Sequence, residues 1–293
     1  MYRWEKKMIE WINGNMIYIA IGFVMISAAW MRMGGRNYVG NDYHFALYDI
    51  PGNCNSLLFR RLTDFFLSRF GDTAIILWKL LAYAGDFTVA FFTLALLRRK
   101  HQKIGEMRTF FILTVCLLSP VSLIYSVSGM KIDSICMSFV LGSILLFRKN
   151  LLSPAALALS MAGFLSPAYW PVSIFLLAWM IVNKGNKKRF PVQAAMAVFV
   201  ISLCLILSIF AENQEISAGY YWGKIFIINP PTGENYAHAG LWLLGMCRIY
   251  GYFFATGLLL LSLTRKKLRI PALILQMAVI MFMGWQQTSF LAL

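Results

Sequence analysis

Apolar residues in this chain gather into long runs separated by short polar stretches, and most runs approach the roughly 20 residues that cross a bilayer's hydrocarbon as a helix. The runs predict helices over about Met16 to Met33, Ala74 to Leu97, Thr109 to Val127, Ser134 to Phe147, Pro191 to Phe210, Leu241 to Leu263 and Ile270 to Phe290. A further stretch is divided by Ser166, Pro167 and Pro171 into segments at about 151–165 and 168–183, read either as a re-entrant hairpin or as a Pro-kinked spanning pair. Two polar stretches are long, 34–73 and 211–240. Within the first, Leu57 to Phe70 spaces apolar residues at helical intervals with Arg60, Arg61, Asp64 and Arg69 opposite, the pattern of an amphipathic helix lying on a membrane surface. The expected fold is all-α: a polytopic transmembrane bundle of about nine helices in one domain, residues 1–293, with no internal repeat or composition break.

Composition strengthens this picture. The 293 residues are 59% hydrophobic and 13% charged, with a mean hydropathy of +0.66, more apolar surface than a water-soluble fold can hide. The net charge of +15 would point to nucleic acid if the bases formed a continuous patch. Instead, 18 of the 27 lie in five short clusters: Arg3, Lys6 and Lys7; Arg98, Arg99, Lys100, Lys103 and Arg108; Arg148 and Lys149; Lys184, Lys187, Lys188 and Arg189; Arg265, Lys266, Lys267 and Arg269. Alternating helices put all five on one side, which the positive-inside rule makes cytoplasmic, with the N-terminus there too. Such turns offer no groove-sized surface, so nucleic acid is excluded as a partner. The five cysteines show no CxxC or His-paired zinc spacing. The first apolar run follows a basic amphipathic stretch and lacks a convincing small-x-small cleavage site, so it is expected to remain as an anchor.

The two long loops share the outer side, where eight of the twelve acids fall. The first carries Asp42, His44 and Asp49 within eight positions; a carboxylate beside a helix end can serve as a general base or metal ligand, or be a solvated loop acid. Lys79 and Asp86 lie inside the second helix at i, i+7, on one face but about 10 Å apart, too far to pair directly. Lys79 can snorkel to the headgroups; Asp86 has no such escape. After Ser119-Pro120 the chain brings Ser126, Gly129, Lys131 and Asp133 to the outer rim, a base suited to phosphate beside an acid suited to a hydroxyl or a metal. Tyr220, Tyr221, Trp222, Tyr236 and His238 in the second outer loop can cover a sugar or anchor at the headgroups.

Three of these elements, in order, resemble the GT-C superfamily of membrane glycosyltransferases, and its mannosyltransferase-like branch in particular. They are Gly-Asn-Asp42-Tyr in the first outer loop, Lys79-Leu followed by Gly-Asp86, and Ser119-Pro120 followed by Ser126, Gly129 and Asp133. Ser119 stands where that branch has Asn, and Met130-Lys131-Ile132 replaces its Gly-Gln before the last Asp. The resemblance covers about Arg32 to Leu146. It implies transfer of a sugar from a polyprenyl-phosphate or polyprenyl-diphosphate donor to a glycan, lipid or protein acceptor, with inversion in a single displacement. It implies Asp42 as catalytic base with Asp49 assisting, and Lys131, Arg36, Arg60 and Arg61 on the lipid phosphate. Lys79, Asp86, Asp133, His44 and His238 support the site, and Mg or Mn, if used, would sit at Asp42 and Asp133.

Other classes compete with this reading. A transporter or flippase for a lipid-linked sugar would also use the ionisable residues Lys79, Asp86 and Arg248 within spans. A GT-C-like scaffold without activity would share the bundle. A transpeptidase or protease would need Cys54 and His238, from different loops, to meet. The compact, nearly loop-free build favours a bacterial plasma membrane, with the site on the extracytoplasmic face.

Overall fold

In a computed structural model, the structure describes residues 3–34, 57–98, 105–123, 132–184, 190–213, 239–264 and 266–290. Among them all extended regular structure is helical. In chain order the helices are α1 (Arg3–Gly34), α2 (Leu57–Phe70), α3 (Ala74–Leu97), α4 (Glu106–Leu118), the one-turn α5 (Pro120–Leu123), α6 (Asp133–Arg148), α7 (Leu152–Leu165), α8 (Tyr169–Lys184), α9 (Phe190–Asn213), α10 (Ala239–Thr264) and α11 (Arg269–Phe290). Three stretches among the described residues are long and apolar enough to cross a membrane: Lys7–Gly34, Ala74–Leu97 and Pro191–Phe210. Large apolar side chains such as Phe23, Trp30, Phe199 and Phe210 face outward, which is consistent with an integral membrane protein.

Most element bounds follow the apolar runs closely, and two depart for identifiable reasons. α1 continues back to Arg3 as one helix of 32 residues, because no proline interrupts the polar N-terminal stretch and its residues tolerate helix. The third predicted helix stops early, at Leu118, because Ser119 is extended (φ −63°, ψ 142°), as a residue before proline prefers to be. A new helix starts there: Ser119 Oγ accepts the Ser122 N–H at 3.0 Å, making Ser119 an N-cap with Pro120 in the first helical position. α7 and α8, of 14 and 16 residues, reach only about 21 and 24 Å at 1.5 Å per residue.

Two clusters form the interior. The larger joins α3, α6, α7, α8 and α9 through residues such as Met137, Leu141, Leu159, Trp170 and Met180. α2 covers part of it with Leu62, Phe66 and Leu67, the Phe66 ring meeting Trp78 edge-on at 5.3 Å, while Arg61 and Asp64 turn outward. The smaller lies between α1, α3, α4 and α10, around Ala28, Ala90, Ile112, Leu117 and Leu259. Basic side chains close one end of the bundle: Arg148 Nη1 donates to the Leu96 carbonyl at 2.5 Å, and Arg108 Nη2 to the Leu263 carbonyl at 3.0 Å. Both satisfy carbonyls left without partners in a last helical turn.

Candidate functional site: a buried ion pair at four helix ends and faces

The helix break at Ser119 has a consequence for charge. With the chain leaving helical geometry there, the Leu117 carbonyl has no intrahelical donor, and Arg32, in the last turn of α1, takes it at 3.2 Å through both Nη1 and Nη2. The same guanidinium donates to the Ala28 carbonyl at 2.9 Å and to Ser122 Oγ at 2.7 Å. Its Nη2 lies 2.6 Å from Asp86 Oδ2, with Arg32 and Asp86 side chains 1% and 0% exposed. Tyr252 of α10 donates its hydroxyl to the other carboxylate oxygen, Oδ1, at 2.5 Å. Tyr83 lies under the guanidinium at 5.1 Å, a cation–π contact, and donates its own hydroxyl to the Met25 carbonyl at 3.1 Å.

Taking two full charges into a low-dielectric interior is expensive, and their attraction compensates only when the remaining donors and acceptors are also satisfied. Here both oxygens of Asp86 and four acceptors around Arg32 meet that condition. The Arg32 Nε–H has no hydrogen-bond partner among the described residues. Asp86 therefore pairs with Arg32, 54 positions earlier in the chain, and not with Lys79.

Lys79 sits on α3 near its N-terminal end and is wholly buried, so it does not snorkel outward. Asp133 opens α6, where a carboxylate suits the positive end of the helix, and its Oδ1 accepts the Tyr169 hydroxyl at 3.2 Å. Next to it, Ser134 donates to the Ala82 carbonyl at 3.0 Å. A β-carbon on Gly85 would lie 2.6 Å from Ser134 Oγ and 2.9 Å from the Ile135 nitrogen, so glycine is what lets α3 and α6 approach this closely. Arg61 is exposed on α2; Arg60 lies on the same helix, its side chain outside the description. Asp42, Asp49, Arg36, His44, Lys131 and His238 all lie outside the described residues, as do Cys54 and the aromatics of the second long loop. Among the described residues no three His, Cys, Asp or Glu side chains come together in a metal-ligand set.

Four participants were not singled out by sequence reasoning: Arg32, Tyr83, Ser122 and Tyr252. Arg32 had a signal available. A lone aspartate inside an apolar run calls for a base inside another, and few bases lie inside or at the edge of one. Compared with known protein families, curated proteins and solved structures, the chain matches none.

Proposed function

We propose that this protein is an integral membrane glycosyltransferase of GT-C type, moving a sugar from a polyprenyl-phosphate donor to an acceptor hydroxyl on the extracytoplasmic face of a bacterial plasma membrane. About nine helices span, with the N-terminus and basic turns cytoplasmic and α2 lying at the outer surface. The observation that carries the reading is convergence. Segments of the second and third motifs, far apart in the chain, meet in space: Gly85 abuts Ser134, beside Asp133, and Asp86 shares Arg32 with Ser122 of the Ser119-Pro120 element.

In this reading Asp42 removes the acceptor hydroxyl proton as that oxygen attacks the anomeric carbon, and the bond from that carbon to the phosphate oxygen breaks on the opposite face. The carrier leaves as a lipid phosphate whose growing negative charge Lys131, Arg36, Arg60 and Arg61 offset, with Asp49 supporting Asp42. Lys79, His44 and His238 support the site from the helix and the two outer loops. The Arg32–Asp86 pair holds the end of α1, from which the segment bearing Asp42 departs. Asp133 Oδ1 accepts the Tyr169 hydroxyl; if Mg or Mn takes part, Asp42 and Asp133 would hold it, and it would offset the charge that grows on the leaving phosphate.

The test is sugar transfer from radiolabelled polyprenyl-phosphate sugars by wild-type protein and Asp42→Asn in liposomes. Label should leave the carrier in the wild type and stay on it in the variant, with carrier binding retained in both. Binding without transfer in the wild type would overturn the proposal. One observation favours a second reading, transport of the lipid-linked sugar: an ion pair inside apolar helices also suits a translocation path. Carrier that crosses the bilayer with its sugar still attached would establish that alternative.

A further inference from the structure

At 1.5 Å per residue the 32 residues of α1 extend about 48 Å, more than the roughly 40–45 Å of a whole bilayer with its headgroups. The excess lies at the N-terminal end. Tyr18 donates to Glu106 Oε1 at 3.0 Å, and Glu106 opens α4, so Tyr18 stands level with the basic end of the bundle, where Arg108 reaches the Leu263 carbonyl. Trp4 is 14 positions earlier, about 21 Å beyond that level, and residues 7–14 are exposed throughout. Two sides run the length of the helix. Ile21, Met25, Ala28 and Arg32 face the bundle, and Lys7, Glu10 and Gly14 continue that side toward the N-terminus. Ile19, Phe23, Ile26 and Trp30 face away from it, and Trp4, Met8 and Ile12 continue the outward side with Trp11 next to them. The two tryptophans are 61% and 62% exposed. The projecting segment is therefore amphipathic, and its apolar side is continuous with the side that α1 turns away from the bundle.

We propose that residues 3–12 form a membrane-surface anchor: a segment lying along the leaflet on the basic side of the bundle, with Trp4, Met8, Trp11 and Ile12 at the boundary of headgroups and acyl chains. The turn onto the surface falls at Asn13-Gly14-Asn15, three poor helix formers in succession. Nothing lies within 4 Å of a β-carbon on Gly14, and Asn15 Nδ2 donates to the Trp11 carbonyl at 2.9 Å, competing with the backbone ladder. Direction decides the occupant. Because the apolar side points away from the bundle, bending the segment outward lays that side on lipid and leaves Lys7 and Glu10 toward water. The bases at positions 3, 6 and 7 outnumber the acids at 5 and 10, which suits headgroup phosphates. This holds whether or not the protein transfers a sugar.

The wild-type chain provides the test, so no variant has to fold. It is placed in nanodiscs whose phospholipid carries a diazirine near the carbonyl end of an acyl chain. Light releases nitrogen, the carbene inserts into the side chains it touches, and mass spectrometry locates the adducts. Insertion at Trp4, Met8 and Trp11 should exceed that at Lys7 and Glu10 several-fold, and it should be even from Trp11 to Trp4. Insertion that falls away steadily from Trp11 to Trp4 would mean an upright helix projecting into water and would overturn the proposal. So would a segment without adducts, which would mean that water or a second copy of the chain meets the apolar side. Equal insertion at Met8, Lys7 and Glu10 would overturn it as well, because no one side would then face lipid.

Discussion

Where α7 meets α8, and where α3 meets α6, the helices touch through glycines and aromatic rings, whereas α1, α3, α4 and α10 are joined by a charged pair. At the first of these contacts a β-carbon on Gly163 would lie 2.5 Å from the Trp170 ring; Ser173 donates across to the Leu159 carbonyl at 2.8 Å. At the charged junction Arg32, Asp86, Ser122 and Tyr252 come from four elements and share one set of hydrogen bonds. Lipid supplies little hydrophobic force between helices, so association rests on close packing and on polar contacts. The comparison teaches that the two means have different tolerances. A packed surface can lose a contact and relax, but an ion pair that loses one member leaves the other charged and buried.

The largest effect should follow from breaking the pair on one side. Arg32→Met or Asp86→Asn is expected to destabilise by about 3–5 kcal/mol, as removal of one partner of a buried pair does, read from reversible unfolding in mixed micelles. Next in size is Tyr252→Phe, which deletes only the hydroxyl on Asp86 Oδ1; loss of a hydrogen bond to a charged group costs about 1.5–3 kcal/mol in the same assay. On the packed side, Gly85→Ala and Gly163→Ala should each cost about 1–3 kcal/mol through overpacking. At Gly163 the added carbon meets the buried Trp170 ring at 2.5 Å, and at Gly85 it meets Ser134 Oγ at 2.6 Å and the Ile135 nitrogen at 2.9 Å. The smallest effect belongs to Gly257→Ala on α10, where nothing lies within 4 Å of the added carbon: a gain of about 0.5–1 kcal/mol from helix propensity, seen as a slightly higher unfolding midpoint.

The packed region was the more legible of the two from sequence. The bounds of α2 and α3 follow directly from apolar spacing and from the Gly71 turn between them, where φ is +52°. The hairpin at Ser166 is likewise announced by its prolines. These signals are local, carried by residues within a turn or two of the feature they specify. The charged region was half legible. Asp86 stands out as an acid inside an apolar run, but its partner lies 54 residues away at a helix end, where an arginine reads as a headgroup contact. Spacing along one helix put Lys79 on the same face but about 10 Å away, too far to pair directly, and so named no partner for Asp86; pairing across helices depends on packing that spacing does not encode. The Leu117 carbonyl could be anticipated once Pro120 is read as the start of a helix, for the break then leaves a backbone acceptor without its donor. The part of the first long loop that carries Asp42, His44 and Asp49 lies outside the described residues, so the proposed chemistry there rests on the motifs.

The most direct measurement of the account is a double-mutant cycle on Arg32→Met and Asp86→Leu, with unfolding followed for the wild type, both single variants and the double variant in the same lipid–detergent mixture. If the two side chains form one buried pair, the double variant should be far more stable than the sum of the single losses predicts, with a coupling energy of about 2 kcal/mol or more. Additive losses would contradict the account, because they would mean that each charge is held by its own surroundings and that the pair does not join α1 to α3.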